Sequence, residues 1–214
     1  LRNSSAASDV YKRQNMGDKF KNIQIALDMI HTKIASFVSI SSVYETKAIG
    51  FKGDNFYNIC ASFNSNIKAE NLMNELLQVE TSMGRIRKNN DTYESRIIDI
   101  DILIAGDLVI EKQSLMLPHP RMTDRLFVMQ PLVEIEPNLL HPILNISCRE
   151  ILNKIKKNDS VKKTNLLLNN PRNAEISNKY NYIAIEGNIG SGKTSLIKQI
   201  ANDFDSKLIL ERFI

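Results

Sequence analysis

The stretch SRIIDIDILIAGD, residues 95–107, restricts the fold more than any other part of the chain. Ile98, Ile100 and Ile102 alternate with Asp99 and Asp101, and a period of two belongs to a β-strand with one apolar face. The isoleucines would face a core and both aspartates the opposite side. Two carboxylates side by side repel, and burying them unpaired is costly. Such a strand asks for positive charge on its polar face. Mg²⁺ suits the place, since it takes one or two carboxylates together with water and phosphate oxygens, and paired ions can clamp a phosphoryl group in transfer. Taken alone, Asp-x-Asp equally describes a strand with a solvated face. Arg85, Arg87, Lys88 and Arg96 upstream, with Arg121 and Arg125 downstream, point to a polyphosphate site, because guanidinium forks match phosphate oxygens. Solvated surface cations are the plainer reading of the same residues.

The surrounding sequence supplies a frame for that strand. Asp18 reads as a helix cap, followed by Phe20, Ile23, Leu27 and Ile30 at helical spacing. Residues 34–44 read as one strand and 56–63 as another, across a turn rich in Gly, Asp and Asn. Residues 68–83 predict a second helix with Leu72, Leu76 and Val79 in a stripe, closed by Gly84. A short return strand at 108–110 and an irregular, proline-bearing stretch at 115–125 follow, then helical pieces at 127–135 and 148–155. Residues 158–180 are dense in Asn, Lys and Ser and read as a linker. Hydrophobic residues make up 43% of the 214, which suffices for a core, and the net charge of +4 suits an anionic small ligand without arguing for nucleic acid. The two cysteines, Cys60 and Cys148, give neither a disulfide framework nor zinc spacing. No apolar run is long enough for a bilayer and no secretory signal opens the chain, so a cytoplasmic protein without membrane or nucleic-acid partners is expected.

Three motifs occur in order: GRIRK, RIIDIDILI and LPHPRMTDRLFVMQPL. Together they resemble the signatures of the 6-hydroxymethyl-7,8-dihydropterin pyrophosphokinases of folate biosynthesis, over residues 15 to about 157. The resemblance implies an α+β, ferredoxin-like sandwich and transfer of a diphosphate from ATP, as co-substrate, to the pterin hydroxymethyl group with release of AMP. It implies that Asp99 and Asp101 hold two Mg²⁺ ions and that Arg85 and Arg96 steady the moving diphosphate. By the same resemblance, Glu80, Arg87, His119 and Arg125 contact ATP. Phe56 and Phe127 would stack on the pterin, with Thr46 and Asn58 reading its edge. Core packing for Phe56 and a loop-capping role for His119 are the structural alternatives.

The sequence departs from the family pattern in three places. Tyr93-Glu94-Ser95-Arg96 stands where many members carry aromatic-Gly-Pro-Arg, and Lys47 stands where proline is common. The family's first strand, internal to its sheet, is expected to be missing: residues 1–14 read as a non-native or disordered tail. A chain lacking that strand is expected to be unstable or inactive.

Residues 181–214 carry a second motif. GNIGSGKT follows an apolar strand and opens a helix, which is the context a P-loop needs. Gly187 and Gly192 would let backbone amides cradle phosphates, with Lys193 and Thr194 reaching phosphate and Mg²⁺. The run EGNIGSGKT, with LILERF later, resembles the deoxynucleoside kinases, placing Glu211 at their acidic catalytic position. The expected organisation is a pterin pyrophosphokinase domain (15–157), a linker (158–180) and a truncated kinase-like fragment (181–214). The alternatives are a deoxynucleoside kinase fragment behind a non-catalytic nucleotide-binding module, or a nucleic-acid binder. Release of AMP rather than ADP separates pyrophosphoryl transfer from simple kinase chemistry.

Overall fold

The computed structural model describes residues 6–14, 18–47, 54–85, 97–156, 160–172 and 193–203; for 6–14, 193, 194, 202 and 203 the description extends to backbone only. The chain divides into two units, 1–168 and 169–214.

A long strand, β4 (Phe56–Ser65), organises the first unit. On one side it pairs along its length with β1 (Ala6–Gln14), which in turn pairs with β5 (Asp99–Ala105). Its other side is shared by β2 (Phe37–Ile40), which meets residues 61–63, and β3 (Tyr44–Thr46), which meets residues 56–58. All these pairings are antiparallel. The single strand expected over 34–44 is therefore shorter, 37–40, and a second strand begins at Tyr44. Ser41 explains the break: its Oγ accepts the Cys60 N–H at 2.9 Å, so a hydroxyl replaces a backbone carbonyl in the ladder.

The expected tail is the second correction. Residues 6–14 form β1 and occupy the internal place, between β4 and β5, where the first strand was expected to be missing. An internal place in a sheet is filled by backbone hydrogen bonding, which demands an extended chain more than a particular set of side chains. The linker is the third correction. β8 (Val161–Lys163) pairs with β3 at the opposite edge of the sheet, and Leu166 and Leu168 pack on the core.

Helices cover both faces. Helix α1 (Lys19–Lys33) starts at Asp18, whose carboxylate accepts the Lys21 N–H at 3.0 Å, and buries Ile23, Ala26, Leu27 and Ile30. Helix α2 (Ala69–Ser82) buries Leu72, Leu76 and Val79 in the same core, with Ile98, Ile100 and Ile102. On the other face, α3 (Leu126–Ile135) and α4 (Cys148–Lys154) pack with Cys60, Leu103 and Ile104. The β1–β5 register shifts so that Leu103 has no partner opposite it, which lets the consecutive Leu103 and Ile104 serve one core while Ile102 serves the other. β6 (Ile110–Lys112), beside the return strand expected at 108–110, forms a hairpin with β7 (Leu115–Leu117), and with a 3₁₀ turn (Met122–Asp124) β7 gives partial order to the stretch 115–125 expected to be irregular. In the second unit, helix α5 (Lys193–Asp203) is described. No helix among the described residues is long and apolar enough to cross a membrane.

Candidate active site

In the described sheet β5 is an outer strand, so amides on its far edge need partners other than a strand. Glu80, in the last turn of α2 and 1% exposed, supplies one: its Oε1 accepts the Ile100 N–H, between the two aspartates, at 2.7 Å. Gly84, at φ +88°, then reverses the chain, a conformation glycine adopts without strain. The reversal brings the Arg85 N–H to the Glu80 carbonyl at 3.0 Å and the Arg85 guanidinium to the Glu80 carboxylate. The same guanidinium nitrogen lies 2.7 Å from Asp99 Oδ1. One arginine thus bridges a helix carboxylate and a strand carboxylate. Burial opposes its charge, but Asp99 and Glu80 outweigh that and raise its pKa.

Burial, then the charges of Asp99 and Glu80, push the Asp101 carboxyl up to about 7, while Arg125 and Arg85 pull it down. At Asp101, therefore, burial and the two neighbouring carboxylates outweigh what these arginines offset. Such a place favours a further cation. Among the described residues no group of three or more His, Cys, Asp and Glu gathers as a protein-only metal cage. Two aspartates with room for water and phosphate oxygens are the donor set Mg²⁺ prefers, so the residues fit that ion.

His119 reaches this cluster through the sheet irregularity. Its backbone N–H bonds the carbonyl of Leu103, the unpaired residue of β5, at 2.8 Å. Its Nδ1 accepts the Arg121 N–H at 3.2 Å, leaving the proton on Nε2. Burial, then Arg125 and Arg121, lower its pKa to about 4, so the ring is a neutral donor at pH 7. Arg125 caps α3 and holds its guanidinium over the Phe127 ring, 5.7 Å from the centroid. His119 and Lys112 also line a cavity of about 540 Å³ against the β6–β7 hairpin.

The expected pterin-side residues meet on β3 and β4. Thr46 lies opposite Phe56, and Tyr44 opposite Asn58. The buried Asn58 amide nitrogen donates to Thr46 Oγ1 at 3.0 Å, to the Tyr44 carbonyl at 3.2 Å and to the Phe56 carbonyl at 3.4 Å. Those bonds fix the plane of the amide. Phe127 comes from α3, which packs across both strands. A cavity of about 790 Å³ runs beside Arg125 and Phe127 toward Ile155 and Ser160. Arg87, Arg96, Gly187, Gly192 and Glu211 lie outside the described residues. Lys193 and Thr194 lie in the backbone of α5.

Against known families, the model for 7,8-dihydro-6-hydroxymethylpterin-pyrophosphokinase (HPPK) matches residues 14–137, more than half of the chain. The chain belongs to the HPPK family. An HPPK relative, the 2-amino-4-hydroxy-6-hydroxymethyldihydropteridine pyrophosphokinase of Aquifex aeolicus, is 36% identical over 137 residues, covering 64% of this chain and 84% of that one. The folic acid synthesis protein fol1 of Pneumocystis carinii is 33% identical over 146 residues, covering 68% of this chain and 20% of its own length. The chain thus spans about a fifth of the length of that relative and of its counterpart in Dictyostelium discoideum. A crystal structure of Plasmodium falciparum HPPK-DHPS with pteroate shares the fold, with a TM-score of 0.60 at 14% identity, over 76% of this chain and 48% of that one. The architecture is accordingly the α+β sandwich of solved HPPK chains.

One group beside β3 has no sequence signal. Glu134, near the end of α3, accepts the Ser42 N–H at 3.0 Å, the Ser42 hydroxyl at 2.7 Å and the Lys163 ammonium at 2.8 Å, and bonds the Tyr44 phenol. Burial, then Glu134, raise the Tyr44 pKa. Ser42 and Glu134 are 92 residues apart, and only the fold brings them together.

Proposed function

We propose that this chain transfers a diphosphate from ATP to the hydroxymethyl group of 6-hydroxymethyl-7,8-dihydropterin, releasing AMP, in folate biosynthesis. The observation that carries the reading is the Glu80–Arg85–Asp99 bridge with Asp101 beside it, on a strand edge, in a chain of the HPPK family. Asp99 and Asp101 would hold Mg²⁺ ions, which when bound neutralise charge on the phosphate oxygens. Arg85 can leave Asp99 for a phosphate oxygen while Glu80 keeps its side chain in place. His119 offers a neutral N–H donor, and Arg125 a charge aligned by the Phe127 ring. Phe56 and Phe127 supply faces for a flat heterocycle, and Thr46 and Asn58 its edge contacts. Arg96 and Arg87 complete the phosphate-binding set by resemblance to the family. The pterin hydroxyl oxygen then attacks the β-phosphorus in line, the bond from that phosphorus to the oxygen bridging the α-phosphate breaks, AMP departs, and the hydroxyl proton passes to water.

Incubation with ATP, Mg²⁺ and the pterin alcohol is expected to give AMP and the pterin diphosphate. Asp99→Ala should abolish turnover. Formation of ADP, or full turnover by that variant, would overturn the assignment.

A second reading concerns residues 181–214. Residues 193–203 are helical, as expected for the stretch after GNIGSG, and this favours the start of a deoxynucleoside kinase-like domain fused behind the first. Equilibrium titration with ATP and Mg²⁺ should then reveal two sites, one of them lost in Lys193→Ala. A single site, unaffected by that change, would remove this reading.

A further inference from the structure

β3, which carries Thr46, is three residues long, and on its inner side it meets only the first three residues of β4. A strand so short fixes its side chains poorly unless its outer edge is also held. β8 holds that edge, pairing Thr46 with Val161, Glu45 with Lys162 and Tyr44 with Lys163. Directly opposed residues of an antiparallel pair project to one side, so Val161 shares its face with Tyr44 and Thr46. Val161 is buried in a small apolar cluster with Tyr44 and Leu126, against which Phe127 and Ile155 pack. The attachment is anchored twice more. Lys163 pairs with Glu134, the carboxylate that also holds Ser42 and Tyr44. Thr164 bonds the Val43 carbonyl through both its N–H, at 2.9 Å, and its hydroxyl, at 3.0 Å.

We infer that residues 161–164 are a positioning element for the pterin site, setting its affinity for the pterin without touching the Glu80–Arg85–Asp99 bridge. Val161 acts through two groups proposed to meet the pterin: across the strand pair on Thr46, and through the Tyr44–Leu126 cluster on Phe127. The element lies beyond the family match, which ends at residue 137. The Glu80–Arg85–Asp99 bridge lies at the other edge of the sheet, on β5. Loosening β8 should therefore separate the two substrates. The inference rests on the reading of Thr46, Asn58 and Phe127 as pterin contacts.

The test uses the full chain, with unreactive 6-hydroxymethylpterin as the probe. Val161→Ala and Lys163→Met are expected to weaken its binding about fivefold each, while ATP binding in the presence of Mg²⁺ stays within twofold. Hydrogen exchange of the amides of residues 161–164 should slow when the pterin is added. Unchanged pterin affinity in both variants would overturn the proposal, and so would equal weakening of both ligands. Asn58→Ala separates the two levels. If it lowers pterin affinity and the β8 variants do not, only the positioning role fails. If it leaves pterin affinity untouched, the site reading fails and the positioning role with it.

Discussion

Arg85 is the residue on which the charge balance of the site turns. With 14% of its side chain exposed, it serves Glu80, which is nearly inaccessible, and Asp99. Removing one partner of a buried ion pair leaves the other uncompensated, at about 3 kcal/mol or more. Arg85→Met should therefore lower unfolding stability by about 3 kcal/mol without divalent metal, measured by urea denaturation. Mn²⁺ alone should restore more stability to the variant than to the parent, because the ion meets carboxylates no longer occupied by a guanidinium. An equal metal response in both proteins would show that Arg85 does not compete for the carboxylates. His119 offers a cleaner check. Its proton should leave near pH 4, followed by NMR of the ring; a midpoint near 6.5 would place it in water, away from Arg125 and Arg121. His119 also adds a pH dependence to stability. Its folded pKa is below the unfolded value of about 6.5, so its stabilising effect is complete above that pH and is lost as pH falls toward 4.

At the scale of elements, the readable parts of the sequence were those whose logic is local. The Asp18 cap, the apolar stripes of α1 and α2, the positive-φ Gly84 and the alternation of β5 each depend on neighbours a few residues away. The misread parts depend on distant partners. Ser41 splits a strand by bonding Cys60, Val161 leaves the apparent linker to pair with Thr46, and Glu134 collects Ser42, Tyr44 and Lys163. The turn before α4 illustrates a local device that composition hides. His141 Nδ1 accepts the N–H groups of Ile143 and Leu144, at 3.3 and 3.2 Å, and burial lowers its pKa. Protonation would remove both acceptances. As with His119, stability from this turn is present above about pH 6.5 and declines as pH falls through the region below it. His141→Asn keeps an acceptor without the titration, so its stability should fall less than the parent's between pH 7 and 5. The capping box that follows, where Ser147 and Glu150 bond reciprocally, should make Ser147→Ala cost about 1 kcal/mol at any pH in that range.

At the scale of the whole first unit, β1 joins the two halves of the proposed site. β5 carries the aspartates and β4 carries Phe56 and Asn58, and the described sheet connects them through β1 alone. The family match begins at residue 14, so nearly all of β1 lies outside the stretch whose sequence defines the family. The place it fills demands extended backbone, and Val10 sits in its middle, opposite Ala61 on β4 and Ile102 on β5. Proline there has no N–H to donate and is poorly tolerated in an interior strand. Val10→Pro should lower stability by about 2 kcal/mol, the order of one buried unsatisfied group with the local distortion added. The more telling readout is hydrogen exchange in residues 99–105. If β1 is what holds β5 to the sheet, exchange there should accelerate together with that of residues 6–14. If β5 keeps its protection while β1 loses its own, then α2, through Glu80 and the Ile100 amide, is sufficient to hold the aspartates, and the sheet contributes little to their placement.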